Sequence, residues 1–289
     1  MKFCLYAIGT SALNGAYGVM SHIGHALEEL GHEAVVLSLG QPLPEDAEVV
    51  WFQSQGYGTI KRLIGRRKII KICWLEHFNP DFSYFPYDRI KDIEADYYNT
   101  QYRGPVKDWA ESQVKKEVIY LSHGACLKCM KPGKQIDVPD KIIVCNRMKW
   151  RKEDWLNYAG VKIINVSPSE VNDAYSSARA VCNMHAEFQK GLTDDYFGMR
   201  GMGMNERVYQ AIMAGTICIS DNNPIVKEYF NEDEVPYCTT MEEYKEKSDY
   251  YVEHQEKAKE CVGRARKKII ENYLYKDIIK NYLEKISLI

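Results

Sequence analysis

The stretch "GMRGMGMNERVYQAIMAGTICISDNNP", residues 198 to 224, holds the residue types best suited to chemistry. Gly198, Gly201 and Gly203 precede what reads as a helix over about 206–214, and Arg207 falls in its first turn. A cation there opposes the partial positive charge of the helix end, so it calls for an anion. Backbone N–H groups at the helix end, together with a forked guanidinium, form a receptor for a diphosphate entered past Met204 and Asn205. Asn205 suits the capping position and Glu206 the first helical one. Gln210, three residues beyond Arg207 on the same face, is placed to exchange hydrogen bonds with hydroxyls such as a ribose's. The competing reading is a solvated Arg207 paired with Glu206 or Asp194.

Further candidates follow other strand-like runs. "GTSALNGAYG" (9–18) is neither the dinucleotide fingerprint nor a Walker loop. Gly15 and Gly18 permit close backbone approach there, and Asn14 and Tyr17 offer hydrogen bonds. "WLEHFNPDF" (74–82) presents Glu76, His77 and Asp81, and a carboxylate raised by burial is a candidate general base toward a hydroxyl. His185, after "RAVCNM", is a candidate for sugar or phosphate binding. Cys126 and Cys129 make half a zinc knuckle with His123 nearby but no convincing second half, so no metal site is expected. His22, His25 and Glu29 read as the polar face of the first helix. No nucleophile elbow, H-E-x-x-H motif or glycosidase-like carboxylate pair is present.

The elements that must position these residues alternate. "KFCLYA", "EAVVLSL", "AEVVWFQ", "KIIKICWL" and "EVIYLS" are apolar runs of strand length, with helical spacing from Val19 to Leu30 and over 105–116. After the polar, proline-bearing "MKPGKQIDVPD" (130–140) the pattern restarts with "KIIVC", "VKIIN", "RAVCNM" and "TICIS", helix-like segments lying between them. Residues 240–287 read as charged helix with an interruption near Asn281. Strands apolar on both faces and separated by helices imply parallel sheets covered on both sides, whose ligands bind beyond the strands' carboxyl ends.

The 289 residues suit two medium domains, with 45% hydrophobic and 27% charged residues as in a soluble globular protein. A net charge of −2 advertises no nucleic-acid surface. No run approaches 18 apolar residues, so no membrane span is expected. Nine cysteines scattered through strand-like runs indicate buried thiols in a reducing compartment, which places the protein in the cytoplasm.

"YSSARAVCNMH" followed by "GMNERVYQAIMAGTICISDNNPIVKEYF" resembles the donor-binding region of glycosyltransferases of the two-Rossmann-domain, or GT-B, fold. The likeness is greatest to the family that includes CgeB-like spore-maturation proteins. "NGAYGVMSHIGHALEELGHEAVVLSL" is similar to the opening of many sugar-nucleotide transferases. The resemblance implies two Rossmann-like domains facing each other across a cleft. These would be an acceptor-side domain over 1–138, a donor-side domain over 139–262, and a helix over 263–289 packing back on the first. It implies transfer of a glycosyl unit, a hexose foremost, from a nucleotide diphosphate sugar (a UDP-sugar above others) to an acceptor hydroxyl. No tightly bound cofactor or essential metal is implied. Arg207 stands at the family's diphosphate-binding arginine, and Gln210 where the family usually has a ribose-binding glutamate. Phage DNA glucosyltransferases carry a similar arginine-then-glutamate pair, which makes DNA a minor candidate acceptor. Besides a transferase, the same residues would suit a nucleotide-sugar epimerase or a non-catalytic nucleotide-sugar-binding protein. A monomer or homodimer is expected.

Overall fold

The computed structural model describes residues 1–8, 15–75, 87–145, 153–185 and 203–289. They divide into two compact units, one of Met1–His123 with Tyr275–Ile289, the other of residues 124–185 and 203–274.

The first unit is built in chain order from β1 (Lys2–Ala7), α1 (Gly15–Glu29), β2 (Glu33–Ser38), β3 (Val49–Gln53), α2 (Tyr57–Ile64), β4 (Ile70–Leu75), β5 (Tyr97–Thr100), α3 (Pro105–Val114) and β6 (Val118–Tyr120). The six strands form one parallel sheet in the order β2-β1-β3-β4-β5-β6. All of β3 and nearly all of β1 are buried, as a sheet covered on both faces requires. The chain steps from β1 to β2 on one side and then returns to β3 on the other, so this sheet's topological switch point lies between β1 and β3. Sequence pattern alone does not mark residues 97–100 as a strand. They pair with β4 in register, and their Asn99 and Thr100 are wholly buried.

The second unit continues with β7 (Lys141–Val144), α4 (Glu153–Tyr158), β8 (Lys162–Ile164), α5 (Val171–Ser177), β9 (Ala180–Asn183), α6 (Glu206–Ala214), β10 (Ile217–Asp221), α7 (Pro224–Tyr229), β11 (Tyr237–Cys238), α8 (Met241–Glu253) and α9 (Gln255–Asn272). Its five strands are again all parallel, in the order β11-β10-β9-β7-β8, and the switch point lies between β7 and β9. Both units are therefore Rossmann-like, the fold class implied by the sequence. The segment over 133–136 hydrogen-bonds to α5 through Ser176, Asp173 and Ser177. Gly133 lies so close to α5 that a Cβ there would collide with the carboxylate and the backbone nitrogen of Asp173.

The last helix, α10 (Tyr275–Lys285), returns to the first unit. Tyr282 stacks on Trp51 with ring centroids 5.1 Å apart, and Tyr275 stacks on His22 at 5.5 Å. This cover corrects the reading of His22 as part of an exposed face: His22 is buried, while Glu29 is exposed. The C-terminal helical region breaks at His254 and around Tyr273, not near Asn281, which lies within α10. The second break has a tertiary cause. Ala125 N donates to Tyr273 O at 2.8 Å and Ala125 bridges Leu274, drawing the backbone out of the helix. Among the described residues no helix is long and apolar enough to cross a membrane.

Candidate functional site

The site grows from α6. Val208, Tyr209, Ala211, Ile212, Met213 and Ala214 are all buried and fix the helix against its sheet. Gly215 ends it at φ +96°, a left-handed conformation that costs glycine little, and Thr216 N closes back on Ala211 O at 3.0 Å. At the other end Asn205 takes the capping backbone conformation, φ −66° and ψ 140°, yet its side chain does not cap. Its amide nitrogen donates instead to Asn183 Oδ1 at 3.1 Å and Met184 O at 3.3 Å. Asn223 holds the approach to α6 by donating to Gly203 O at 3.1 Å, while its oxygen caps α7. Met204 is buried.

Arg207 reaches from the first turn of α6 to the switch point of the second sheet. Its Nε and one terminal nitrogen donate to Val144 O, the end of β7, at 3.3 and 3.1 Å. The other terminal nitrogen donates to Asn183 Oδ1, the end of β9, at 2.7 Å. The guanidinium thus joins the carboxyl ends of the two strands between which open α/β sheets place their ligands. Among the described residues it forms no ion pair, and Asp194, one partner of the competing reading, lies outside them. Burial works against the charge of Arg207, but Tyr175, Cys145 and Cys218 around it together hold its pKa above the ordinary arginine value. Burial pushes Tyr175 up to about 12, so that hydroxyl is neutral at pH 7. None of the hydrogen-bond partners of Arg207 among the described residues carries a charge, and a half-buried cation in that condition is a standing attraction for an anion.

Gln210 lies one turn further along, partly exposed, and its amide has no hydrogen-bond partner among the described residues. His185, the candidate for sugar or phosphate binding, stands just after β9. It is buried, and both ring nitrogens are engaged: Nδ1 with Asp221 Oδ1 at 2.5 Å, Nε2 with Asn205 N at 3.2 Å. Gly15 opens α1 and Tyr17 follows in its first turn. Glu76, His77 and Asp81 lie outside the described residues, as do Asn14 and Asp194.

The structure adds Asn183, Tyr175 and Asp221 to what spacing singles out. Asn183 accepts from both Arg207 and Asn205, its nitrogen donates to Ser220 Oγ at 3.0 Å, and its backbone carbonyl accepts from Tyr244 at 3.0 Å. Asp221 sits at the end of β10. Burial alone would raise its carboxyl, but the hydrogen bonds it accepts from His185 and Ser220 hold it below the ordinary carboxylate value. The signal that could have found them is a polar residue closing an apolar strand, in "AVCN" and "ICISD".

Solved structures of similar fold exist at low sequence identity. An alpha-glucosyltransferase in complex with UDP and a 13-mer DNA containing an HMU base aligns over 99% of this chain and 99% of its own, with TM-score 0.70 and 9% identity. Anabaena HepE in complex with UDP and glucose aligns over 100% of both chains, with TM-score 0.67 and 10% identity. Sucrose-phosphate synthase from Thermosynechococcus elongatus aligns over 100% of this chain and 98% of its own, with TM-score 0.65 and 9% identity. At such identities the likeness is one of fold. By sequence, no curated protein matches the chain. The model of the glycosyl transferase-like family matches residues 128–284, more than half of the chain and every residue of the network around α6, and the chain belongs to that family.

Proposed function

We propose that this protein transfers a glycosyl unit from a nucleoside diphosphate sugar to an acceptor hydroxyl, with the donor held by the second unit. The observation that carries the reading is Arg207. Among the described residues it is a cation with only neutral hydrogen-bond partners, at the β7/β9 switch point and in the first turn of a helix that the Asn205 side chain does not cap. A diphosphate laid against that turn meets the helix N-terminus and the guanidinium together, and both also stabilise the leaving diphosphate as the glycosidic bond breaks. Gln210, one turn deeper and with its amide unengaged among the described residues, suits the ribose hydroxyls. A uridine donor is supported by the UDP held in the similarly folded HepE and alpha-glucosyltransferase. The sequence has no Asp-x-Asp motif, and the mechanism proposed asks for no metal held by one.

For the acceptor, Glu76 is the first candidate for the base if the reaction inverts the anomeric centre, with Asp81 and His77 behind it. In the sequence Glu76 is the residue after β4, and this fold class places its chemistry beyond the carboxyl ends of its strands. DNA is the acceptor class this chain favours least. One transferase of similar fold is known in complex with DNA, but the net charge of −2 here supplies no overall attraction for a phosphate backbone.

The test separates binding from transfer. Titration calorimetry with UDP and a panel of UDP-sugars should give binding to the wild type that falls tenfold or more in Arg207→Ala, of the order expected for a charge-assisted contact. Unchanged affinity would remove the diphosphate from this helix. Glu76→Gln should keep UDP binding and lower transfer by about 10²-fold or more; a near-normal rate would move the base elsewhere.

A further inference from the structure

Asp221 and His185 are buried polar residues that touch neither Arg207 nor Gln210, yet they hold the entrance of the helix that carries both. Asp221 is 9% exposed and His185 5%. One carboxylate oxygen faces His185 Nδ1 at 2.5 Å, and the other accepts the His185 backbone N–H at 3.2 Å. Ser220 Oγ donates to the first of these oxygens at 3.2 Å. On the far side of the ring, Nε2 faces the backbone N–H of Asn205 at 3.2 Å.

The donor and acceptor roles follow from chemistry. A backbone N–H can only donate, so Nε2 must accept; an ionised carboxylate can only accept, so Nδ1 must carry the hydrogen. One species meets both demands, the neutral imidazole protonated at Nδ1. The Asn183 amide nitrogen, 3.4 Å from Nδ1, has its better partner in Ser220 Oγ at 3.0 Å. Asn183 is itself oriented by Arg207, whose donors demand the amide oxygen at 2.7 Å. That oxygen and Met184 O then take the Asn205 side-chain nitrogen. Asn205 is therefore held twice, by its main chain through His185 and by its side chain through Asn183. A residue of the type that caps helices best is thereby kept from capping this one.

We propose that Asp221 is a positioning residue: by fixing the tautomer of His185 it anchors the Asn205 backbone and keeps the first turn of α6 open to the phosphates of the donor. The inference rests on the reading of α6 as the diphosphate site. It also makes a statement about the free protein that stands or falls without any nucleotide.

Asp221→Asn tests it. An asparagine has one acceptor oxygen where the aspartate has two, so it cannot accept both His185 N–H groups. When its nitrogen faces the ring, Nδ1 becomes the acceptor, the hydrogen moves to Nε2, and two donors then face each other at Asn205. Nitrogen-15 spectra of the imidazole in the free wild type should show the Nδ1-protonated tautomer, with the Asn205 amide protected from exchange. In Asp221→Asn the Nε2-protonated form should gain population, Asn205 protection should fall, and UDP affinity should drop about tenfold. His185→Gln supplies a control of chemistry against bulk. Its carbonyl can accept from Asn205 and its amide can donate to Asp221, so UDP affinity should stay within about threefold of wild type, whereas His185→Leu should lose about tenfold. A wild-type ring protonated at Nε2, an unprotected Asn205, or equal affinities for the Gln and Leu variants would overturn the proposal. A wild type that passes the spectroscopic tests but binds no nucleoside diphosphate would overturn the donor-site reading and leave the relay standing.

Discussion

Among the described residues Arg207 faces a carbonyl, an amide and a hydroxyl, and Gln210 lies three residues on with its amide unengaged. A carboxylate at Gln210 would do two opposed things. It would bind ribose hydroxyls through charge-assisted hydrogen bonds, and it would partly neutralise Arg207 in the empty protein. The first effect acts directly on the ligand and the second through solvent-screened charge, so Gln210→Glu should tighten UDP binding, by about fivefold. Calorimetry at fixed ionic strength checks this; equal affinity would mean that the side chain does not reach the ribose. Arg207 and Gln210 are legible in the sequence because an arginine in a first turn is locally anomalous. Their partners are not. Asn183 and Val144 lie 24 and 63 residues away along the chain, and only the strand order brings them beneath the helix.

Helices of the second unit show how far local rules reach. Sequence pattern alone puts α6 at 206–214, because its apolar spacing and terminal glycine both act within the element. α8 is similarly self-contained. Thr240 caps it by accepting from Glu243 N at 3.1 Å, and Glu243 accepts from Thr239 N at 2.7 Å. Burial works against the Glu243 carboxyl, but Lys247 and Thr239 hold it at about 2. A carboxyl depressed in the folded state contributes stability that is complete above its ordinary 4.5 and is lost as pH falls through about 2. Thr240→Ala should cost about 1 kcal/mol, read from urea unfolding at neutral pH. An effect below a few tenths would mean that Glu243 alone secures this end. β5 is illegible for the opposite reason. Its Asn99 and Thr100 have the composition of a loop, and only pairing with β4 and β6 makes them interior.

At the scale of the molecule, the first unit is assembled from both ends of the chain. Tyr275, Ile279, Tyr282 and Leu283 of α10 are buried, and Tyr282 lies on Trp51 in the middle strand β3. Removing Leu283 to alanine should cost about 3 kcal/mol through the cavity it leaves. The loss should fall on the first unit alone: hydrogen exchange should accelerate in β1 and β3 while β9 and β10 keep their rates. Equal acceleration in both sheets would mean that the two units unfold as one.

That return has a consequence for the order of events during synthesis. A ribosome delivers the first sheet's strands before any part of the second unit exists, and the helix that covers Trp51 follows only after that unit. The early sheet must wait with an aromatic face bare while about 150 further residues are made, at roughly 5 to 20 residues per second a delay of about 8 to 30 seconds. The second unit has no such debt to its future, since every strand and helix of it is complete once Leu274 has emerged. The unit begun first is therefore completed after the second, and a chain cut short within α9 would leave the network around α6 closer to whole than the sheet that preceded it.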